Sequence, residues 1–146
     1  MSIHEYFDNT AKSLMAFQYL EVMLKFYIRD CDRIIQKSVK DSFHYSVREK
    51  DIEKMPLRRL IEEFSIRSNR KDIISVLKKL NNHRNYIAHA AYLLTIEEQK
   101  DSEKMQGLAD KIAEVTKAVK ACMKALAHEH SRVTNEPISK EIIDSI

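Results

Sequence analysis

The sequence predicts an all-α fold, an up-and-down bundle of four to five helices with three long and one or two short. Three observations carry this. Apolar residues recur at three-four spacing through most of the chain, which is the helical period. One glycine and two prolines leave too little turn chemistry for an all-β fold. Charged residues of mixed sign make up 32%, as solvated helix faces require. At 146 residues the chain fits one domain with a single modest core. That domain spans residues 1–146, with its core at about 9–130 and a C-terminal extension at 131–146.

The first helix is expected from about Asn9 to Lys40. Leu14, Phe17, Leu24, Ile28, Cys31 and Ile35 share one face, widened by Leu20, Met23, Tyr27 and Ile34. Glu21 falls on the same register, at the bundle edge or beside a partner. The stretch Asp41 to Met55 breaks the pattern and reads as a loop or short helix. Pro56 can open the next helix, because its missing N–H would be unpaired in a first turn anyway. "PLRRLIEEF" is then short, with Leu57, Leu60, Ile61 and Phe64 inward. A third helix runs from about Lys71 to Leu94. Thr95 followed by Glu98 is a capping-box signature. The last long helix continues to about His130 on the stripe Met105, Leu108, Ile112, Val115, Val119, Cys122 and Leu126. Gly107 is its weak point, costing up to about 1 kcal/mol relative to alanine. The tail from Ser131 reads as a loose extension with one short helix.

A mild net charge of +3 permits an RNA or anionic partner without demanding one. Cys31 and Cys122 lie on apolar stripes and form no CxxC pair, so both are expected buried and reduced. No signal peptide or long apolar run is present, and the expected location is the cytoplasm, away from membranes. His128 and His130 sit two apart on different faces of a helix end, a poor metal pair. No metal or cofactor is expected. Glycine-rich phosphate loops, serine-nucleophile motifs and paired carboxylates are missing from the sequence.

The third helix is the unusual one. At about 100° per residue, Arg84 falls among Ile73, Leu77, Leu80 and Ile87, on the apolar stripe itself. Beside it runs a strip of small and polar side chains: Asn81, Asn85, Ala88, His89 and Tyr92. An arginine on a core stripe is costly unless paired or able to reach solvent along its apolar stem. Glu21, or another acidic group on the first helix, is the expected partner. A guanidinium can grip two phosphate oxygens, and a histidine can take or give a proton near neutrality. With asparagines as donors, these groups suit RNA cleavage by 2′-OH attack on the adjacent phosphorus, without a metal. Arg84 and His89 stand roughly 140° apart on an ideal helix, so one copy alone is a poor site. Two copies crossing at the strip would share one, which predicts a two-fold homodimer. His83, Arg67, Arg70 and Lys71 are candidate RNA contacts, with Arg58 and Arg59 adding to the basic segment.

"RNYIAH", Arg84 to His89, resembles the signature of the HEPN superfamily, in which an arginine, a polar residue and a histidine follow at this spacing. The helical layout over most of residues 9–130 is also similar to HEPN. The resemblance implies a metal-independent endoribonuclease with a dimeric site, used in toxin–antitoxin or phage-defence systems, and an antitoxin protein as partner. It makes Arg84 and His89 the catalytic pair and Asn85 the polar helper. Glu21, Asn81 and Tyr92 are expected in support from their places on the helical wheel. One branch carries a tyrosine two residues after the histidine. Here that position is Ala91 and the tyrosine is Tyr92. Other HEPN-like proteins are non-catalytic dimeric interaction or transcription-regulatory modules, which is the alternative.

Overall fold

In the computed structural model, six α-helices and one π-helical turn are seen among the described residues, which are 2–91, 98 and 100–146. Their order is α1 (Ile3–Val39), α2 (Glu49–Glu53), α3 (Leu57–Arg67), α4 (Lys71–Tyr86), the π turn (Ile87–Ala91), α5 (Ser102–Thr134) and α6 (Lys140–Ser145). The fold is an all-α bundle, as its apolar periodicity predicts.

Helix α1 starts a turn and a half earlier than the apolar pattern suggests. Ser2 caps it by accepting from the Glu5 N–H, and the Glu5 carboxylate accepts from the Ser2 N–H. The added turns bury Tyr6 and Thr10. Further on, Phe17, Leu20, Leu24, Tyr27, Ile28 and Cys31 form the core face. Ile34 and Ile35, expected inward, are 40% and 37% exposed because α1 outruns the helices that cover it.

The chain then returns along α1. Arg33 pairs with Glu49, and Lys25 Nζ donates to the Glu53 carbonyl at 2.9 Å. Helix α3 turns back again, with Phe64 on Tyr27 (ring centroids 4.9 Å apart) and Arg67 on Asp32 at 2.8 Å. All four residues expected inward on α3 are buried. Helix α4 reverses direction. Its first turn meets the end of α5, where Arg70 lies 3.3 Å from Glu129. Its last turn meets the start of α5, where Lys111 Nζ sits 4.1 Å over the Tyr86 ring. Helices α1 and α5 run parallel: Asn9 and Lys12 share a groove with Ile112 and Thr116, while Asp30 reaches His130 at the other end.

Helix α5 is capped by Asp101, whose carboxylate accepts from the Glu103 and Lys104 N–H groups. The expected cap at Thr95 lies outside the described residues. The stripe holds, with Leu108 half-buried and Ala109 filling its place. The helix does not end near His130. It runs to Thr134 and stops at Asn135, which adopts φ 58°, the left-handed conformation asparagine tolerates. The tail carries the one short helix expected of it, α6, which buries no residue, and Ile146 packs on the core. Cys31 and Cys122 are both buried free thiols. Among the described residues no helix is long and apolar enough to cross a membrane.

Candidate functional site

The "RNYIAH" stretch straddles a change of helix type. Arg84, Asn85 and Tyr86 are the last residues of α4, and His89 lies in the π turn. A π turn bonds i to i+5 and is wider than an α turn, so each residue advances less around the axis. The roughly 140° that an ideal α-helix places between Arg84 and His89 is therefore reduced. Single π turns inside helices recur at functional sites because they re-aim side chains without ending the helix.

Ile73, Leu77, Leu80 and Ile87 are buried, so Arg84 does stand on the core register. It is nevertheless only half-buried, as an arginine on a core register can be when its apolar stem lies along its neighbours. Among the described residues no carboxylate lies within ion-pair distance of Arg84. The expected pair with Glu21 is thus not formed. Both groups are half-buried and keep enough water to stand unpaired. Asn81 is half-buried, Ala88 likewise, and Asn85 and His89 are exposed. Tyr92 lies outside the described residues.

The same end of the bundle holds two buried hydroxyls with no hydrogen-bond partner, Tyr6 Oη and Ser13 Oγ on α1. Thr10 between them donates to the Tyr6 carbonyl at 2.9 Å. Burial first, then the nearby Tyr86 and Glu98, raise the Tyr6 phenol above its ordinary pKa. Sequence pattern alone passes over this row, because tyrosine, threonine and serine look like a wet face.

The candidate RNA contacts fare unevenly. Arg67 is clamped by Asp32 at 2.8 Å and Glu63 at 2.7 Å. Burial by itself would lower its pKa, but the Asp32 and Glu63 bonds more than offset that and hold it charged. Arg70 is held by Asp72 at 2.8 Å and by Glu129. Both are structural rather than free, and they lie at the far end of α4, about 20 Å from Arg84 at 1.5 Å per residue. Lys71 is exposed at that same far end, while His83 is half-buried beside Arg84.

Glu129, Asp32 and the contact between His130 and Asp30 have roles that the sequence pattern does not assign. Glu129 has a side-chain exposure of 0% and accepts from Arg132 at 2.6 Å. The Arg132 bond, against the cost of burial, lowers its pKa, with Arg70 adding to the effect. Asp32 is buried beneath Arg67 and Tyr45. The signal was available: Asp32 is four residues after Ile28 and Glu129 three after Leu126, both on apolar registers. His130 Nε2 lies 2.8 Å from Asp30, with Tyr27 edge-on to its ring at 5.7 Å. This pair faces a groove of about 680 Å³ between Phe26 of α1, Leu126 of α5 and Ile142 of α6. Among the described residues no cluster of histidine, cysteine and carboxylate has the arrangement of a metal site.

The fold therefore defines an all-α bundle with an unpaired arginine, two asparagines and an exposed histidine at one end of α4. No family model, curated protein or solved structure matches the chain.

Proposed function

We propose that the protein is a metal-independent endoribonuclease of HEPN type, acting as a toxin or phage-defence component. The observation that carries the proposal is the state of Arg84. It occupies a core register at the edge of the bundle, yet no carboxylate neutralises it among the described residues. A cation left at that position with no internal partner is suited to an external anion, and a guanidinium fits a phosphodiester. In this reading Arg84 holds the scissile phosphate, Asn85 donates to a phosphoryl oxygen, and His89 removes the ribose 2′-OH proton. The 2′-oxygen bonds to phosphorus as the P–O5′ bond breaks, and the departing 5′-oxygen takes a proton from water, leaving a 5′-hydroxyl. Two copies meeting along Asn85 and Ala88 would bring both sets to one cleft, and the π turn supports that by re-aiming His89.

The test is cleavage of a single-stranded RNA by purified protein in the presence of a chelator. Cleavage leaving a 2′,3′-cyclic phosphate, lost in both Arg84→Ala and His89→Ala, is expected. RNA left intact by wild-type dimer from pH 5 to 9 would overturn the reading.

One feature favours a second reading, a non-catalytic dimeric interaction or regulatory module on the same scaffold. His89 carries no orienting hydrogen bond among the described residues, whereas a general base is ordinarily held by a second group. A stable dimer that leaves RNA intact but is lost on changing Asn85 and Ala88 to bulky residues would support this reading.

A further inference from the structure

The outer groove between α1 and α5 carries a concentration of positive charge that the Arg84 site does not use. It has a volume of about 620 Å³ and is lined by Lys12, Lys117, Lys120 and Lys124, with Asn9 and Thr116 between them. No aspartate or glutamate lines it. Lys117, Lys120 and Lys124 are exposed, and among the described residues none of them has an ion pair. Lys12 pairs with Asp8 at 2.9 Å, but both side chains are more than 60% exposed, and such a pair exchanges readily for a better anion.

The spacing is orderly. Lys117, Lys120 and Lys124 follow at three and four residues, so they share one face of α5 and span about 10 Å of its length. Ala113 and Ala121 lie on the same face and line the groove, letting a chain approach the helix closely. Lys12 closes the opposite wall from α1.

We propose that this groove binds the sugar–phosphate backbone of single-stranded RNA. The choice of RNA as the polyanion rests on the endoribonuclease reading above. Alanines, an asparagine, a threonine and two isoleucines, Ile112 and Ile146, complete the lining, so the case for a polyanion rests on the four lysines. With no aromatic ring among the lining residues to stack on a base, the contact reads charge and spacing. Binding along it is sequence-tolerant, and selection of a cleavage point is left to the α4 site.

Four phosphate contacts to a single strand give a slope of about −2.8 for log affinity against log salt, so affinity falls about 50-fold between 50 and 200 mM salt. Replacing three of the four lysines flattens the slope by about 2 and weakens binding about 100-fold at 0.1 M salt.

The experiment is fluorescence anisotropy with a labelled 12-nucleotide 2′-O-methyl RNA, which cannot undergo 2′-OH attack. Binding is then read independently of cleavage. Wild type, K117Q/K120Q/K124Q and R84A are compared across salt. The lysine variant should melt with wild type, lose about 100-fold in affinity and show the flatter slope. R84A should keep the wild-type slope to within about one contact. Wild-type binding by the triple-lysine variant overturns the proposal. So does an absence of binding by wild type, or equal affinity for a polyglutamate peptide. If the groove behaves as expected but unmodified RNA is not cut, the groove stands and the nuclease reading falls.

Discussion

Glu129 offers the sharpest test of how the bundle holds α4 in place. Its carboxylate is fully buried and takes Arg132 at 2.6 and 3.1 Å and Arg70 at 3.3 Å. Arg70 sits at the N-cap of α4, so this contact sets where the Arg84 end of that helix lies against α5. The two arginines are not buried equally with it: their side chains are 41% and 65% exposed. Removing the acid frees two arginines that rehydrate. Removing the arginines strands a carboxylate in the core. Glu129→Gln should therefore cost only about 2 kcal/mol, the worth of its charge-assisted bonds after rehydration. Arg70→Ala with Arg132→Ala should cost about 4 kcal/mol, the penalty for an unpaired buried charge. At about 3 °C per kcal/mol for a chain of this size, thermal melts should drop by roughly 6 and 12 °C. A pH signature separates the two. In the double-arginine variant the Glu129 pKa rises, so its neutral form is favoured in the fold, and stability recovers as pH falls from 7 to 5. Glu129→Gln shows no such recovery. An equal or larger loss in Glu129→Gln, or a flat pH response in the double variant, would refute the reasoning.

Three further outcomes are expected. Gly107→Ala should stabilise the protein by about 0.5–1 kcal/mol, because the position is an exposed helix interior where an added Cβ meets nothing within 4 Å; a denaturant midpoint checks it. Tyr6→Phe and Ser13→Ala should each be neutral or stabilising by up to about 1 kcal/mol, since each removes a buried hydroxyl without a partner; a loss beyond that would mean the hydroxyls are satisfied. Acid should weaken the wild type in a set order. The Arg70 bond holds Asp72 at a pKa of about 2, and the Arg132 bond lowers Glu129. Depressed carboxylate pKa values give stability that is complete above about pH 4, the unfolded value, and lost as pH falls toward 2. Urea midpoints from pH 7 to pH 2 should follow that course.

Much of this molecule was legible from side-chain order. The faces of α3 and α5 and the core registers of α1 and α4 follow from three-four spacing, because burial must repeat with the helical period. Arg84 could be placed on a core register for the same reason. The departures share a cause, since periodicity says which residues align and not how far a neighbour extends to cover them. Ile34 and Ile35 align with the core and are left uncovered. Tyr6 and Thr10 look polar and are buried. The apolar stripe of α5 stops at Leu126, which sets its expected end near His130, yet the helix runs on to Thr134. Asp30, Arg70 and Arg132 are what keep it folded, and all but Arg132 come from elsewhere in the chain.

The sequence by itself determined the helical class, the core stripes and the motif Arg84-Asn85-x3-His89, because these depend on residue order and a fixed helical pitch. Tertiary structure alone decided which charges are free. Arg67 and Arg70 look as available as Arg84 in the sequence. Folding brings Asp32, some thirty-five residues from Arg67, and Glu129, some fifty-nine from Arg70, against them, and leaves Arg84 and the α5 lysines without such partners among the described residues. Glu63 and Asp72 are sequence neighbours of these arginines, but Asp32 and Glu129 reach them only through the fold, and no local pattern specifies that distance in space.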